Sequence, residues 1–390
     1  GDPMSKHLPR PHRLWPLPPW LPLSDLVLLT EMEHIANWLE LTLARARHEI
    51  LLENYIFQAG VWPERIFRIL LRQARAGLRV HLTLDALGSR EFPTRWVREL
   101  EAAGAVLHWY HRLSLRGLEG RLRRTHRRLV LVDGYCLAVG GFAISDAWLS
   151  GHPGSRPYRD VLLAGMGAIA ERGRALFATG LHPDLGQAEN SSPAKSGSWG
   201  EARLLAGNPP RRMNVRRRYM AAFKGARQSL WIATPYFNPD PRVLSLLYGA
   251  VRRGVDVRVL LAGRITDHPL LRFGIQAYYQ KLLRHGIRVY EYEGSFLHGK
   301  YVQVDGRWAS VGSANLDFLS LWFNRELNME LRGAVPNLLL RTLFLREFAR
   351  AHEIVADRWA RRPWWRRPLE GILARIDGWV QARAMGARRY

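Results

Sequence analysis

The sequence predicts an α/β protein made of two tandem copies of one unit. Two observations carry this. The order strand–helix–strand–helix–strand–strand–strand occurs twice, at an offset near 180 residues, and internal repetition outranks any local signal. Short apolar runs alternate with amphipathic stretches that end in glycine, the pattern of strands covered by helices.

The elements follow in order. Residues 49–57 (EILLENYIF) and 229–237 (SLWIATPYF) are apolar runs of buried-strand type. Amphipathic stretches 64–76 and 241–253 follow, stopped by Gly77 and Gly254, where a left-handed residue is wanted. Matching strands start at Leu78 (LRVHLTLD) and Val255 (VDVRVLLA). A second helical stretch ends at Gly104 in one copy and Gly286 in the other, before AVLHWY (105–110) and IRVYEY (287–292). Each copy closes on two strands, in HRRLVLVDGYCLAVGG (126–141) and HGKYVQVDGRWASVGS (298–313). The polar, glycine-rich segment GQAENSSPAKSGSWG (186–200) reads as a linker. The expected division is a Pro/Trp-rich arm over 1–30, a first domain over 31–185, the linker, a second domain over 201–350, and a basic, Trp-rich amphipathic helix over 351–390.

Composition narrows the function. Hydrophobic residues make up 47% and charged residues 24%, which places the chain among globular proteins and not disordered ones. One cysteine, Cys136, excludes an internal disulfide and a cysteine-rich zinc site. No run of 18 apolar residues occurs, so no membrane-crossing helix is expected, and no secretory leader is read. The net charge is +24, carried by 58 Lys+Arg, of which only five are lysine: Lys6, Lys195, Lys224, Lys281 and Lys300. Such charge attracts polyanions, with nucleic acid and anionic lipid surfaces the candidates.

The chemistry sits in the last two strands of each copy. The second holds His298, Lys300 and Asp305 in an H-x-K-x4-D pattern, then Gly312, Ser313, Asn315, Asp317, Asn324 and Glu326. Residues two apart on a strand share a face, so His298 and Lys300 project together. An imidazole can attack phosphorus or donate a proton, and a neighbouring cation holds a phosphate oxygen. Ser313 and Asn315 add hydrogen bonds to the remaining oxygens. The first copy holds His126, Arg128 and Asp133, then Gly140 and Gly141, with Arg128 where Lys300 stands and Ala143 where Asn315 stands. Arginine keeps the charge and can grip phosphate bidentately, but is bulkier. Asp305 is either a catalytic carboxylate or the residue that ends its strand. Glu53 and Tyr55 serve either strand-end packing or the site.

These two motifs resemble those of the phospholipase D superfamily. The stretch from TPYFNP (234–239) through RRGVDVRVLL (252–261) and LHGKYVQVDGRWASVGSANLD (297–317) to NRELN (324–328) is similar to bacterial cardiolipin synthases of the phospholipase D type. The resemblance implies two α/β/α sandwich domains related by a pseudo-twofold axis, with one shared active site. It implies that His126 and His298 face one phosphodiester. One histidine, by family precedent the N-terminal His126, forms a phosphohistidine while the other protonates the leaving alcohol. Lys300 and Arg128 stabilise the phosphorane, Ser313 and Asn315 bind its oxygens, and Glu326 or Asp133 orients a histidine. No metal or other cofactor is called for.

The implied reaction joins two phosphatidylglycerol molecules into cardiolipin and releases glycerol. It requires an anionic phospholipid membrane as partner. The chain is therefore expected to lie peripherally on the inner membrane of a bacterial cell. Basic–aromatic segments serve that role: seven arginines between His111 and Arg128, RRMNVRRRY (211–219), and the tail RWARRPWWRRP (358–368). In the tail Leu369, Ile372, Leu373, Ile376, Trp379 and Val380 recur at helical spacing. The arm LPRPHRLWPLPPWLPL (8–23) offers interfacial tryptophans. The rival readings are a phospholipase D-type hydrolase or nuclease, and a lipid-binding scaffold with a lapsed site. Nucleic acid is the weaker partner because no nucleic-acid fold motif is present.

Overall fold

The computed structural model describes residues 17–110, 124–151, 155–179, 182, 185, 199–207, 214–322 and 324–386, with 318–319 and 377–386 as backbone alone. Two mixed sheets carry the chain. The first has seven strands in the order Asp25–Glu31, Arg159–Met166, Cys136–Gly140, Leu129–Val132, Glu49–Asn54, Arg79–Asp85, Val106–Tyr110. The second has nine. Seven of these repeat the first sheet's order as Glu201–Gly207, Glu326–Arg332, Trp308–Gly312, Tyr301–Val304, Ser229–Ala233, Asp256–Ala262, Arg288–Tyr292, with Leu21–Pro22 and Ala351–Glu353 added at the edges. The three strands joined by helices pair in parallel, and the hairpin strands pair antiparallel.

Both faces of each sheet are covered, which explains the continuous apolar runs. Alternate residues point to opposite faces. Thus Ile50, Leu52, Val130 and Val132 pack outward under the helices Met32–Ala44 and Val61–Arg75. Leu51, Leu129, Leu131 and Leu163 turn inward and share one buried cluster with Ala309, Val311, Leu327 and Met329 of the second sheet. The two copies therefore meet through a common apolar layer.

Two expected boundaries are corrected. The arm expected over 1–30 gives Asp25–Glu31 to the first sheet as its edge strand, bonded to Arg159–Met166, while Leu21–Pro22 pairs with Glu201 and Ala202 of the second sheet. The apolar side chains of DLVLLTE need a sheet partner, and the strand ending the first copy provides one. The tail expected as one helix from 351 begins instead as the strand Ala351–Glu353, followed by helices Ala356–Ala360 and Arg366–Gly386. Pro363 and Pro368 sit at its break and in the first turn of the long helix, where a missing N–H costs nothing. The linker segment up to residue 198 lies outside the described residues, as do residues 111–123 and 211–213 of the basic runs. Among the described residues no helix is long and apolar enough to cross a membrane.

Candidate active site

Each histidine lies just before the first hairpin strand of its copy, Leu129–Val132 or Tyr301–Val304. Both are pinned across the boundary between the copies by the same backbone pattern. Thr125 bridges Arg325, and Leu297 bridges Arg159, both in parallel. The His126 N–H donates to the Arg325 carbonyl at 2.9 Å, and the His298 N–H to the Arg159 carbonyl at 2.7 Å. The next residue on each partner strand is a carboxylate, so each copy sends an acid to the other copy's histidine.

Glu326 faces His126, with Nδ1 3.2 Å from Oε2 and 3.1 Å from the Ser313 carbonyl. The Ser313 carbonyl can only accept, so Nδ1 carries the hydrogen and Nε2 keeps its lone pair. Burial, then Arg128 and Lys300, push His126 well below the ordinary histidine range, which keeps the ring neutral. Asp160 faces His298, with Nδ1 2.8 Å from Oδ2. The Lys300 ammonium lies 3.1 Å from each ring nitrogen of His298. Burial and Lys300 push His298 down to about 4, against the pull of Asp160. Against the upward push of burial, His298 and Lys300 hold Asp160 below the usual carboxylate range. Burial lifts Glu326 to about 7, opposed by its bond from Ser313 and by Arg128.

The cations are more enclosed than the histidines. Lys300 and Arg128 are each 1% exposed. Burial pushes Lys300 down to about 7, with Asp160 opposing and Arg128 adding. Arg128 donates to its neighbour's carbonyl at His126 and lies 5.5 Å from the Tyr55 ring, which packs edge-on against His126. Its Nε is buried without a hydrogen-bond partner among the described residues. Glu53 accepts the Thr125 hydroxyl at 2.6 Å, bracing the residue before His126.

Gly141 explains the paired glycines of the first motif. A Cβ there would sit 2.5 Å from the Asp160 carboxylate and 3.1 Å from Lys300 Nζ. Asn315 is buried, and its side-chain oxygen has no partner among the described residues, so it can accept from a hydroxyl of a ligand.

Three sequence expectations are corrected. Ser313 does not hold a free hydroxyl for phosphate: it donates to Glu326 and accepts from the Leu327 N–H at 3.0 Å. One hydroxyl has one hydrogen to give. Asp133 and Asp305 are not in the site. Both occupy hairpin turns at the far ends of the strands that follow the histidines, with φ of 54° and 55°. Their carboxylates take the backbone N–H groups of Arg47, His48 and Glu49, and of Arg227, Gln228 and Ser229.

Asp160 was not singled out from the sequence. The signal was present: Tyr158-Arg159-Asp160 and Asn324-Arg325-Glu326 hold equivalent places in the repeat. Trp148 was missed as well. It donates to Asp160 at 2.9 Å and packs edge-on against His298 at 5.3 Å.

Residues 219–350 match the family described as cardiolipin synthase, PLD-like domain. The chain is 32% identical over 358 residues to a cardiolipin synthase of Geobacillus kaustophilus, covering 90% of this chain and 71% of the relative. It is 29% identical over 338 residues to the major cardiolipin synthase of Bacillus subtilis, covering 85% and 70%. In fold it is similar to phosphatidylserine synthase of Haemophilus influenzae, with a TM-score of 0.71 at 14% identity over 92% of this chain and 95% of that one.

Proposed function

The chain belongs to the cardiolipin synthase family of the phospholipase D superfamily and is a phosphatidyltransferase acting on phospholipids, and we propose that it makes cardiolipin from two phosphatidylglycerol molecules through a phosphohistidine. The observation that carries this reading is the crossed pair of histidine–carboxylate contacts, which equips two imidazoles for opposite proton duties in one enclosed space.

His126 is the nucleophile in this scheme. Its Nδ1–H is held by Glu326 and the Ser313 carbonyl, and its Nε2 lone pair is unoccupied. The lone pair forms a P–N bond to the phosphodiester, and the P–O bond to the donor's glycerol breaks. His298, protonated as the anionic phosphodiester arrives, gives its proton to the departing glycerol oxygen. A second phosphatidylglycerol then enters. Its terminal hydroxyl returns a proton to His298 and attacks phosphorus, and the P–N bond breaks to free His126. Splitting one displacement into two is the gain of covalent catalysis. Lys300 and Arg128 face the charge that grows on the phosphoryl oxygens, and Asn315 adds an amide. Asp160 and Glu326 act through the rings as positioning residues.

The test uses two substrates. With phosphatidylglycerol, His126→Ala and His298→Ala each lose at least about 10²–10⁴-fold of cardiolipin formation while staying folded. With an activated phosphodiester whose leaving group needs no proton, His298→Ala still accumulates an acid-labile enzyme adduct and His126→Ala does not. Unchanged cardiolipin yield from His298→Ala would sink the two-histidine scheme. Phosphatidic acid as the sole product of the parent would replace transfer by hydrolysis.

A further inference from the structure

Helix Pro269–Gln276 and the long terminal helix Arg366–Gly386 pack on each other beside the second sheet. Gly274 faces Leu373 at the contact, where a Cβ would lie 3.5 Å away, in ordinary van der Waals range. Arg366 locks it by stacking 5.0 Å from Phe273 and donating to Gln276 at 2.9 Å. Inward-facing side chains therefore account for the pairing. The outward ones are left in water: Leu270 is 77% exposed, Trp364 80%, Trp365 53%, Ile372 53% and Ile376 54%. A cluster of large apolar groups on such a scale is not ordinary surface.

Charge identifies what covers it. Between 357 and 376 stand six arginines against Asp357 and Glu370, and Glu370 is consumed by a bidentate pair with Arg362. Arg361, Arg367 and Arg375 are exposed among the apolar groups. At the root of the helix pair a cavity of about 630 Å³ is lined by Arg264, Arg272, Arg358 and Arg366, with Glu291 and Glu293. Apolar groups interleaved with arginines suit an acyl layer beneath anionic headgroups. A second copy of this chain, itself at +24, would leave most of the arginines unmatched.

Position links this surface to the chemistry. The shorter helix starts directly after Asp267 and His268. Tyr236 donates its hydroxyl to Asp267 and packs 5.8 Å from the His268 ring. Tyr236 also meets Phe296, which meets His298 at 5.6 Å. The helix pair thus stands at the same sheet end as His298.

We propose that the paired helices Pro269–Gln276 and Arg366–Gly386 form a docking surface for an anionic phospholipid bilayer, set to deliver lipid to the adjacent site. The inference rests on the phosphatidyltransferase reading and adds the surface through which lipid is met.

Vesicle sedimentation tests it. The full chain binds phosphatidylglycerol–phosphatidylcholine vesicles, and binding to phosphatidylcholine alone is about tenfold weaker or more. The triple variant Leu270→Ser/Trp364→Ser/Ile372→Ser, and separately Arg361→Gln/Arg367→Gln/Arg375→Gln, each lose about tenfold or more of the anionic-vesicle binding. Both keep the parent's thermal midpoint, because the side chains are exposed. Parent-like vesicle binding by the triple apolar variant overturns the proposal. So does equal binding of the parent to neutral vesicles, or a parent dimer that the apolar variant dissolves without change in vesicle binding. The parent's turnover in detergent micelles separates the two readings. No phosphatidyl transfer there sinks the enzymatic reading, while lost vesicle binding by the variants still supports the docking surface.

Discussion

Lys300 is a cation kept in a place that resists cations. Burial sets its proton affinity near neutrality, at about 7. The group is therefore charged below that pH and loses its charge as pH rises through it. In the proposed mechanism the ammonium faces the phosphoryl oxygens, so kcat/KM of the parent is expected to fall above pH 7, by about tenfold per unit. A bound phosphodiester favours the charged form, so the limb in kcat lies higher. Lys300→Arg abolishes this falling limb at whatever activity remains, since a guanidinium does not titrate there. A limb that persists in the variant would assign it to another group. The sequence made this residue visible, as one of five lysines spaced two residues from a histidine. Asp160 was harder to see, because its partner His298 lies 138 residues away. No local pattern encodes a contact of that range, and only the repeat's register points to it.

At the scale of the hairpin, the sequence carried two readings of one dipeptide. Asp133-Gly134 and Asp305-Gly306 each have positive φ at both residues (54° and 62°, 55° and 61°). That is the demand of a tight turn whose twist matches the strands. An acid seven residues after each histidine looks like part of a catalytic spacing. Asp-Gly between two apolar strands is also a turn signal, and strand geometry decides between them. Seven residues of extended chain span roughly 23 Å, far beyond reach of the imidazole. The carboxylates instead fasten the chain entering the strands Glu49–Asn54 and Ser229–Ala233. Asp133→Ala or Asp305→Ala leaves three backbone N–H groups without their acceptor. Each should cost about 1–3 kcal/mol in urea unfolding, with kcat of the folded protein unchanged within about twofold. A large fall in kcat at unaltered stability would return the residue to the site. The apolar elements were legible because both sheet faces are buried. The edge strand Asp25–Glu31 was not, because its partner strand comes more than a hundred residues later.

Across the whole molecule, the two copies are joined by an exchange of carboxylates, and the proposed mechanism makes them one catalytic unit. The first copy's Asp160 positions the second copy's His298, and the second copy's Glu326 positions the first copy's His126. Asp160→Asn is expected to lower kcat by about 10²–10⁴-fold, on the scale seen when an acid that orients a catalytic histidine becomes an amide. The defect should lie in the proton steps of His298. Adduct formation from an activated phosphodiester, which needs only His126, should be retained. Equal loss of both rates would mean a general collapse of the site and not a positioning role.

The near-symmetry has a further consequence. Two identical protomers sharing such a centre would repeat every side chain by a twofold rotation, and the trapped phosphorus would see the same neighbour on either hand. A fused chain is free of that constraint. Arg128 and Lys300 occupy equivalent posts with unlike headgroups, one planar and forked, the other compact and able to lose its proton near neutrality. Ala143 and Asn315 differ likewise. The two ends of a bound phosphodiester therefore meet unlike groups, and the sequence of bond-making acquires a direction that a twofold-symmetric pair could not impose.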